Sequence, residues 1–164
     1  MESLPIRLST FEDAHQALLA RWLLEPHVAP WFPNRDEYLA FARQPPPNGV
    51  QRVVTEDDAA LGYLRWVRLS REILDTAGFP ELPAGTADAD LLLGDASRCG
   101  KGLGVRVLDA LSGQLAEQGV PLLVLTTSVK NLRAHSAFRK AGFEIYCEYA
   151  PEPFGPCYLM VRSL

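Results

Sequence analysis

Residues 88–104, DADLLLGDASRCGKGLG, constrain the fold of this chain more than any other stretch. A short apolar run bounded by acids ends at Gly94, and three glycines follow at alternate positions, Gly100, Gly102 and Gly104. The apolar residues that come next recur at helical spacing. The pattern therefore predicts a short strand, a tight glycine loop and the first turn of a helix.

A loop of this kind suits an anion, because a helix start leaves about four backbone N–H groups unpaired and carries partial positive charge. Glycines let those groups approach a phosphate closely. The spacing excludes a P-loop, since Gly102 stands after Lys101 where Ser or Thr is needed. It also excludes the dinucleotide fingerprint, because Val107 stands where that motif has glycine. Two interpretations stay open: a phosphate or pyrophosphate site, or a plain turn.

Composition narrows the class of protein. The 164 residues suit one domain, 1–164, with a sizeable core. The net charge of −4, with no block of basic residues, argues against nucleic acid as a partner and permits a cationic small molecule. Cys99, Cys147 and Cys157 are an odd number without metal-ligand spacing, which predicts reduced thiols, no metal and a cytoplasmic location. No signal peptide or long apolar stretch is present, so no membrane association is expected.

Strands and helices alternate along the whole chain. Strands are predicted over 6–9, 50–55, 59–67, 89–93, 120–126, 143–149 and 158–162. Helices are predicted from residue 10 to before Pro26, and over 34–42, 71–77, 104–119 and 134–141. The segment 27–33 is a loop punctuated by prolines and carrying two aromatic residues.

Two motifs in this order resemble a known family. GKGLG at 100–104 is followed about 27 residues later by NLRAHSAFRKAGF at 131–143, a pairing similar to the GCN5-related N-acetyltransferases. The resemblance implies an α/β (α+β) fold with a mixed, mostly antiparallel central sheet, splayed central strands and flanking helices. It implies acetyl-CoA as cosubstrate, lying in the gap between the strand that ends at Leu93 and the strand 120–126. A monomer or a homodimer is expected.

The same resemblance implies the residues that hold acetyl-CoA. Its pyrophosphate would lie on the N–H groups of residues 99–104, its pantetheine arm against Asn131, and its thioester carbonyl near a backbone N–H around Leu92. The full cofactor set is Leu92, Leu93, Arg98, Cys99, Gly100, Lys101, Gly102, Leu103, Gly104, Asn131 and Phe138.

Three longer segments resemble bacterial aminoglycoside 6′-N-acetyltransferases: WLLEPHVAPWF at 22–32, DLLLGDASRCGKGLG at 90–104 and SVKNLRA at 128–134. This likeness implies acetyl transfer to a small cationic amine, an aminoglycoside at its 6′-amine, and hence antibiotic resistance. Acyltransferases of hydroxamate-siderophore biosynthesis share the loop and the glycine motif, so a siderophore precursor or a polyamine is an alternative acceptor. A catalytically weak sensor that binds acyl-CoA is a third possibility.

Acetylation of an amine needs the neutral amine, whereas a free alkylamine has a pKa near ~10.4. Asp90 matches the active-site aspartate of the aminoglycoside enzymes and is the predicted base or amine-binding group. Period two puts Asp88 on the same strand face, where it is expected at the surface. His27, Trp31 and Phe32 are predicted to contact the acceptor; the alternative is that all three only pack within the loop.

The chain departs from the family pattern at three positions. Phe138 replaces a tyrosine that serves as general acid in many members, so water protonates the thiolate, the thiolate leaves unprotonated, or Phe138 is only a core residue. Thr126 occupies the place of a second aspartate of the aminoglycoside enzymes. Cys99 stands where the wider family prefers Gln or Arg. The siderophore pattern, with His at position 90 and Asp at position 128, is also incomplete.

Overall fold

The computed structural model describes residues 4–164, which form seven strands and five α-helices. The strands are β1 (Ile6–Thr10), β2 (Gly49–Glu56), β3 (Ala59–Arg68), β4 (Ala87–Leu93), β5 (Leu122–Ser128), β6 (Glu144–Tyr149) and β7 (Cys157–Ser163). The helices are α1 (His15–Trp22), α2 (Arg35–Arg43), α3 (Arg71–Ala77), α4 (Leu103–Glu117) and α5 (Leu132–Lys140).

All seven strands join one sheet in the order β1-β2-β3-β4-β5-β7-β6. Every neighbouring pair is antiparallel except β4 and β5, which run parallel at the centre. These two pair only where Ala87–Ala89 faces Leu123–Leu125, although both strands continue for several residues beyond. The predicted mixed sheet with splayed central strands is confirmed, and a gap opens between β4 and β5.

The two faces of the sheet bury different clusters, because residues two apart in a strand lie on the same side. On one face α4 supplies a stripe of fully buried residues that packs on odd-numbered residues of the central strands, including Ala89 and Leu125. On the other face α1 and α2 cover Tyr63 and Leu92, while α3 and the loop after it cover Val124 and residues near it. Asp88 and Asp90 lie on this second face, between its two apolar clusters.

Most predicted boundaries agree with the structure within a few residues. The largest difference is at the first helix, predicted from residue 10 to before Pro26 and observed over His15–Trp22. Two smaller shifts have local causes. β5 begins at Leu122 and not at Val120, because the Val120 N–H bonds to Leu115 in closing α4, and Pro121 has no N–H. α5 begins before Ala134, since the Asn131 side chain caps it by accepting from the Ala134 N–H at 3.3 Å.

Within residues 4–164, no helix combines the length and the apolar character needed to cross a bilayer.

Candidate active site

The gap between β4 and β5 opens into two adjoining cavities. The first, of about 300 Å³, contains Asp88 and Asp90 and is called the acidic cavity below. The second, of about 460 Å³, extends to Gly100 and Gly104 and is called the glycine-loop cavity. Seven residues line both cavities and mark their junction: Pro30, Trp31, Phe32, Leu91, Asn131, Ala134 and Phe138. The splayed strands therefore bring the predicted acceptor and cofactor residues to one continuous space.

Arg65 organises the charges beside the acidic cavity. It is buried on β3 and directly opposite Asp90 in the β3–β4 register. Its Nε donates to Asp90 Oδ2 at 3.1 Å, and its two terminal nitrogens donate to both oxygens of Glu37 at 3.1 and 2.9 Å. Its guanidinium lies 3.6 Å from the ring centroid of Tyr38. Burial opposes its charge, but the hydrogen bonds to Glu37 and the nearby Asp90 raise its pKa. Arg65 therefore stays cationic and holds Asp90 in place.

Asp88 also lines the acidic cavity, so the expectation that it lies at the surface is wrong. The reason is that α2 and the loop 78–86 rise on either side of its sheet face. Burial, and then the Asp90 carboxylate, raise the pKa of Asp88 to about 7, although Arg65 opposes this shift. Within residues 4–164 its carboxylate has neither a hydrogen bond nor an ion pair.

Two tyrosines complete the polar lining of the acidic cavity. Tyr149, at the end of β6, shares a hydrogen bond of 2.5 Å with the Thr126 hydroxyl on β5. Burial raises the pKa of Tyr149 to about 12, with a smaller contribution from Asp88. Burial and the Asp90 carboxylate likewise raise the pKa of Tyr38 well above its ordinary value. Both phenols therefore remain neutral, and the acidic cavity contains carboxylates as its only anions among the described residues.

The glycine loop presents backbone donors to the second cavity. Gly100 and Gly102 have φ of +74° and +79°, a left-handed conformation that favours glycine. The N–H groups of residues 100–104 have no backbone acceptor within residues 4–164. The side chain of Leu103 is buried in the core, whereas that of Lys101 is exposed. This arrangement can hold a phosphate group through main-chain N–H groups.

Arg98 lies just before this loop and makes an ion pair of its own. Its Nη2 is 2.6 Å from Glu56 Oε1, and Arg106 of α4 donates to the other oxygen of Glu56 at 2.9 Å. The hydrogen bonds from Arg98 and Arg106 lower the pKa of Glu56. Glu56 thus ties the β2–β3 hairpin to the loop, and contact of Arg98 with a cofactor stays a prediction. Cys99 lines the glycine-loop cavity.

Strand alternation decides which backbone groups of β4 face the gap. The Gly94 N–H bonds to Leu61 of β3, so in the antiparallel ladder the N–H and C=O of Leu92 also point to β3. Those of Leu91 and Leu93 consequently point into the gap. His27 Nε2 lies 2.8 Å from the Leu93 carbonyl oxygen, which places His27 in the glycine-loop cavity and not in the acidic one. The N–H that faces a ligand near Leu92 is therefore that of Leu91.

The end of β4 is fixed by close packing. A Cβ at Gly94 would lie 2.1 Å from Nε1 of Trp22, so α1 packs directly on this glycine. Trp31 and Phe32 line both cavities, and Phe32 also packs edge-on against Tyr38 at 5.1 Å between ring centroids. Phe138 is half-buried at the junction, so it is not only a core residue.

Sequence reasoning missed several residues that line the acidic cavity, namely Tyr38, Arg65, Tyr149, Pro151 and Phe154. It also missed Glu37, which binds Arg65. For Arg65 a signal existed, since a lone arginine interrupts the apolar β3 run GYLRWV. Its partner Asp90 became evident only with the β3–β4 register. No cluster of three or more metal-ligating side chains occurs in the part of the chain that the structure describes.

A sequence model of the acetyltransferase (GNAT) domain family matches residues 12–150. The aminoglycoside N(6′)-acetyltransferase type 1 of Klebsiella pneumoniae is 31% identical over 173 aligned positions, which cover 99% of this chain and 84% of that protein.

Solved structures agree with this assignment. AAC(6′)-Ib in complex with paromomycin and acetyl-CoA superimposes with a TM-score of 0.77 at 26% identity, covering 99% of this chain and 94% of the other. The same enzyme in complex with coenzyme A and kanamycin gives 0.76 at 27% identity, covering 98% and 95%. Together with the splayed sheet and the glycine loop at its gap, these matches show that the chain belongs to the GNAT acetyltransferase family.

Proposed function

We propose that the protein transfers the acetyl group of acetyl-CoA to the 6′-amine of an aminoglycoside. The observation that carries the proposal is that the acidic cavity and the glycine-loop cavity, which differ in chemistry, adjoin at the gap between β4 and β5. One offers unpaired main-chain N–H groups, suited to a phosphate, and the other offers Asp88 and Asp90, suited to a cationic amine. The names of the curated relative and of the solved complexes support the same pair of substrates.

We infer that acetyl-CoA occupies the glycine-loop cavity. Its pyrophosphate would accept hydrogen bonds from the N–H groups of residues 100–104, because these have no other backbone acceptor. Its pantetheine arm would run between β4 and β5 past Asn131. The thioester would then reach the junction beside Phe138, where the Leu91 N–H points into the gap.

The reaction needs few protein groups. The amine nitrogen attacks the thioester carbon, the carbonyl oxygen gains negative charge, and the carbon–sulfur bond then breaks to release the CoA thiolate. The Leu91 N–H, which points into the gap, would stabilise the developing oxyanion. Asp90 attracts the ammonium form and takes a proton from nitrogen, directly or through one water. Phe138 cannot donate a proton, so the thiolate takes one from water.

The direct test uses purified protein with acetyl-CoA and three acceptor classes: aminoglycosides, hydroxamate-siderophore precursors and polyamines. We expect mass spectrometry to find one added acetyl group on kanamycin, located at the 6′-nitrogen by fragmentation. Turnover of a siderophore precursor with no aminoglycoside product would reassign the acceptor. Tight binding of acetyl-CoA without turnover of any amine would instead identify an acyl-CoA sensor.

We also propose that residues 1–164 act as one acetyltransferase domain and that the reaction takes place in the cytoplasm. The supporting observation for the location is that Cys99, Cys147 and Cys157 are unpaired, as is usual in a reducing compartment. Fractionation of the expressing cell, with activity assayed in each fraction, tests the location.

A further inference from the structure

The acidic cavity holds one more carboxylate than its cations balance. Arg65 is shared between Glu37, which it binds through two nitrogens, and Asp90, which it binds through Nε. Asp88 lies on the same sheet face and has no ion pair within residues 4–164. Glu37 and Asp90 thus already share the single guanidinium, and Asp88 is left without a compensating positive charge, which points to a missing cation. Its pKa of about 7 means that Asp88 can ionise near neutral pH when a cation approaches.

Position along β4 separates the roles of the two aspartates. Leu91 belongs to both cavities, whereas Asp90 and Asp88 line the acidic cavity and not the glycine-loop cavity. Each strand residue advances the chain by about 3.3 Å, so Asp88 lies roughly 7 Å beyond Asp90 and about 10 Å beyond Leu91. An amine that attacks the thioester at the junction comes close to Asp90 and is too distant from Asp88 to be held by it.

A second observation at the same cavity is independent of the carboxylates. Thr127 is only 6% exposed, yet its hydroxyl has no hydrogen-bond partner within the described residues, and the residue lines the acidic cavity. The Oδ1 atom of Asn34, which also lines this cavity, is buried and equally without a partner. Thr127 lies on the strand face of Leu125, and Asn34 precedes α2, so these oxygens belong to different walls of the cavity. Unpaired buried oxygens are costly, so the cavity is suited to a ligand that brings hydrogen-bond donors.

We propose that Asp88 is a specificity-determining residue that binds a second ammonium group of the acceptor, roughly 7 Å from the amine that is acetylated. This inference depends on the proposed function in one respect only, that the acceptor is an aminoglycoside. Tyr149 and Phe154 line the same cavity, and their rings supply apolar area for the carbon frame between the two nitrogens. The enzyme would thus select acceptors with at least two amines over monoamines of the same size.

The test compares two acceptors that differ in one group, 1,5-diaminopentane and 5-amino-1-pentanol, together with kanamycin. An ammonium-to-carboxylate hydrogen bond contributes about 1.5–3 kcal/mol, which corresponds to about 10–100-fold in binding. We expect kcat/KM of the parent protein to favour the diamine by that factor. In Asp88→Asn the preference should fall towards one, and the KM for kanamycin should rise about 10–100-fold with a smaller change in kcat.

Two further variants serve as a control and as a rescue for the loss of diamine preference expected in Asp88→Asn. Asp109→Asn removes a carboxylate that pairs with Arg162 outside both cavities and should keep the diamine preference. Asp88→Asn with Thr126→Asp returns a carboxylate to the same cavity from the facing strand and should restore part of the preference. A preference that is absent in the parent, or that survives Asp88→Asn, would overturn the inference.

If the acceptor is not an aminoglycoside, the same experiment gives a different set of results. A parent protein that acetylates 1,5-diaminopentane but no aminoglycoside would disprove the acceptor assignment, and the diamine preference would still decide the role of Asp88. If no amine turns over, calorimetric titration of kanamycin and the diamine into the CoA-bound protein gives the same comparison. Equal affinity of the parent and Asp88→Asn would then reject the second ammonium site.

Discussion

At the scale of single residues, the geometry of the site depends on the Arg65 guanidinium, which binds both Asp90 and Glu37. Asp90 was predicted from the sequence as a site residue, because it lies in a motif within a recognisable apolar strand. Its partner Arg65 could not be identified in the same way, since the pairing depends on the β3–β4 register and on Glu37 arriving from α2. The burial of Asp88 was missed for a related reason: alternation places a residue on a face but does not say what covers that face.

Asp90→Asn keeps the size of the side chain and removes its charge and basicity. We expect kcat/KM for kanamycin to fall by about 10²–10⁴, the usual range for loss of a general base. Affinity for acetyl-CoA should change little, because Asp90 does not line the glycine-loop cavity. Steady-state kinetics and calorimetry measure the two effects, with Asp109→Asn as the control. Undiminished turnover in Asp90→Asn would remove this carboxylate from the mechanism.

Asp88 should also make stability depend on pH. Its pKa is about 7 in the folded chain and near ~3.9 when unfolded, so the folded chain binds the extra proton between these values. Stability from this group is therefore present at low pH and is lost as pH rises through the window. The groups that face Asp88 are Asp90, Arg65 and Tyr149, and of these the Asp90 carboxylate raises the pKa of Asp88 whereas Arg65 lowers it.

In Asp88→Asn the side chain at position 88 cannot ionise, so the variant should not lose folding stability as the pH rises. We expect the variant to exceed the parent in free energy of unfolding by about 1–3 kcal/mol at pH 8 and by much less at pH 5, with solvent in the cavity screening part of the effect. Urea unfolding at the two pH values measures the difference. A gain that is equal at both values would mean that Asp88 does not titrate in this window.

At the scale of elements, the strand–loop–helix unit was predictable because each of its parts has a local signal. An apolar run, positive-φ glycines and a helical stripe all lie within one short segment. The splay between β4 and β5 has no such signal. Both strands read as ordinary buried strands, and only the three-residue pairing of Ala87–Ala89 with Leu123–Leu125 reveals where the ladder stops.

Gly102→Asp should abolish CoA binding by placing a carboxylate among the N–H groups that we assign to the pyrophosphate. Gly119→Asp is a matched control, since Gly119 has a nearly equal φ of +78°, is equally uncrowded and lies at the other end of α4. Gly102→Asn adds a side chain of nearly the same size without the negative charge, and so distinguishes the effect of charge from the effect of size. Calorimetry should show no heat for Gly102→Asp, weakened binding for Gly102→Asn and parental affinity for Gly119→Asp. Parental affinity in a folded Gly102→Asp would refute the assignment.

Phe138→Tyr adds a hydroxyl to the α5 residue at the junction of the two cavities. Because Phe138 is half-buried and borders open space, we expect thermal melting to stay within a few degrees of the parent. The phenol can protonate the departing thiolate, so kcat should rise and an alkaline limb should enter its pH profile. A large loss of melting temperature would show that the ring edge is packed and does not face the cavities.

At the scale of the whole molecule, the order of elements was predictable and the composition of each sheet face was not. One face carries the large apolar cluster beneath α4, and the other is interrupted by Asp88 and Asp90 between two apolar clusters. Such an interruption costs stability unless it serves a ligand, and it agrees with a chain whose net charge of −4 suits a cationic acceptor. The acidic cavity is thus assembled from four strands, β3 to β6, two helices, α2 and α5, and the loops that contain residues 30–34 and 151–154.

Expression in a susceptible bacterium should raise the inhibitory concentration of kanamycin-type drugs that carry a 6′-amine. Relatives with a 6′-hydroxyl should keep their potency, because they offer no amine at the position that we propose is acetylated. Growth assays across drug concentrations measure both, with Gly102→Asp as the inactive control. Equal protection against both drug types would place acetylation at another amine.

The early end of the β4–β5 ladder has a consequence for hydrogen–deuterium exchange. Beyond the paired segment, the amides of Leu91 and Leu93 on β4 point to the gap, while that of Leu92 stays in the β3 ladder. The centre of the sheet should therefore show an alternating pattern, with fast exchange at two positions flanking a protected one. Saturating acetyl-CoA should slow hydrogen exchange at the two fast amides, because the ligand would cover them. The centre of this sheet would then be fully protected from exchange only when the ligand is bound.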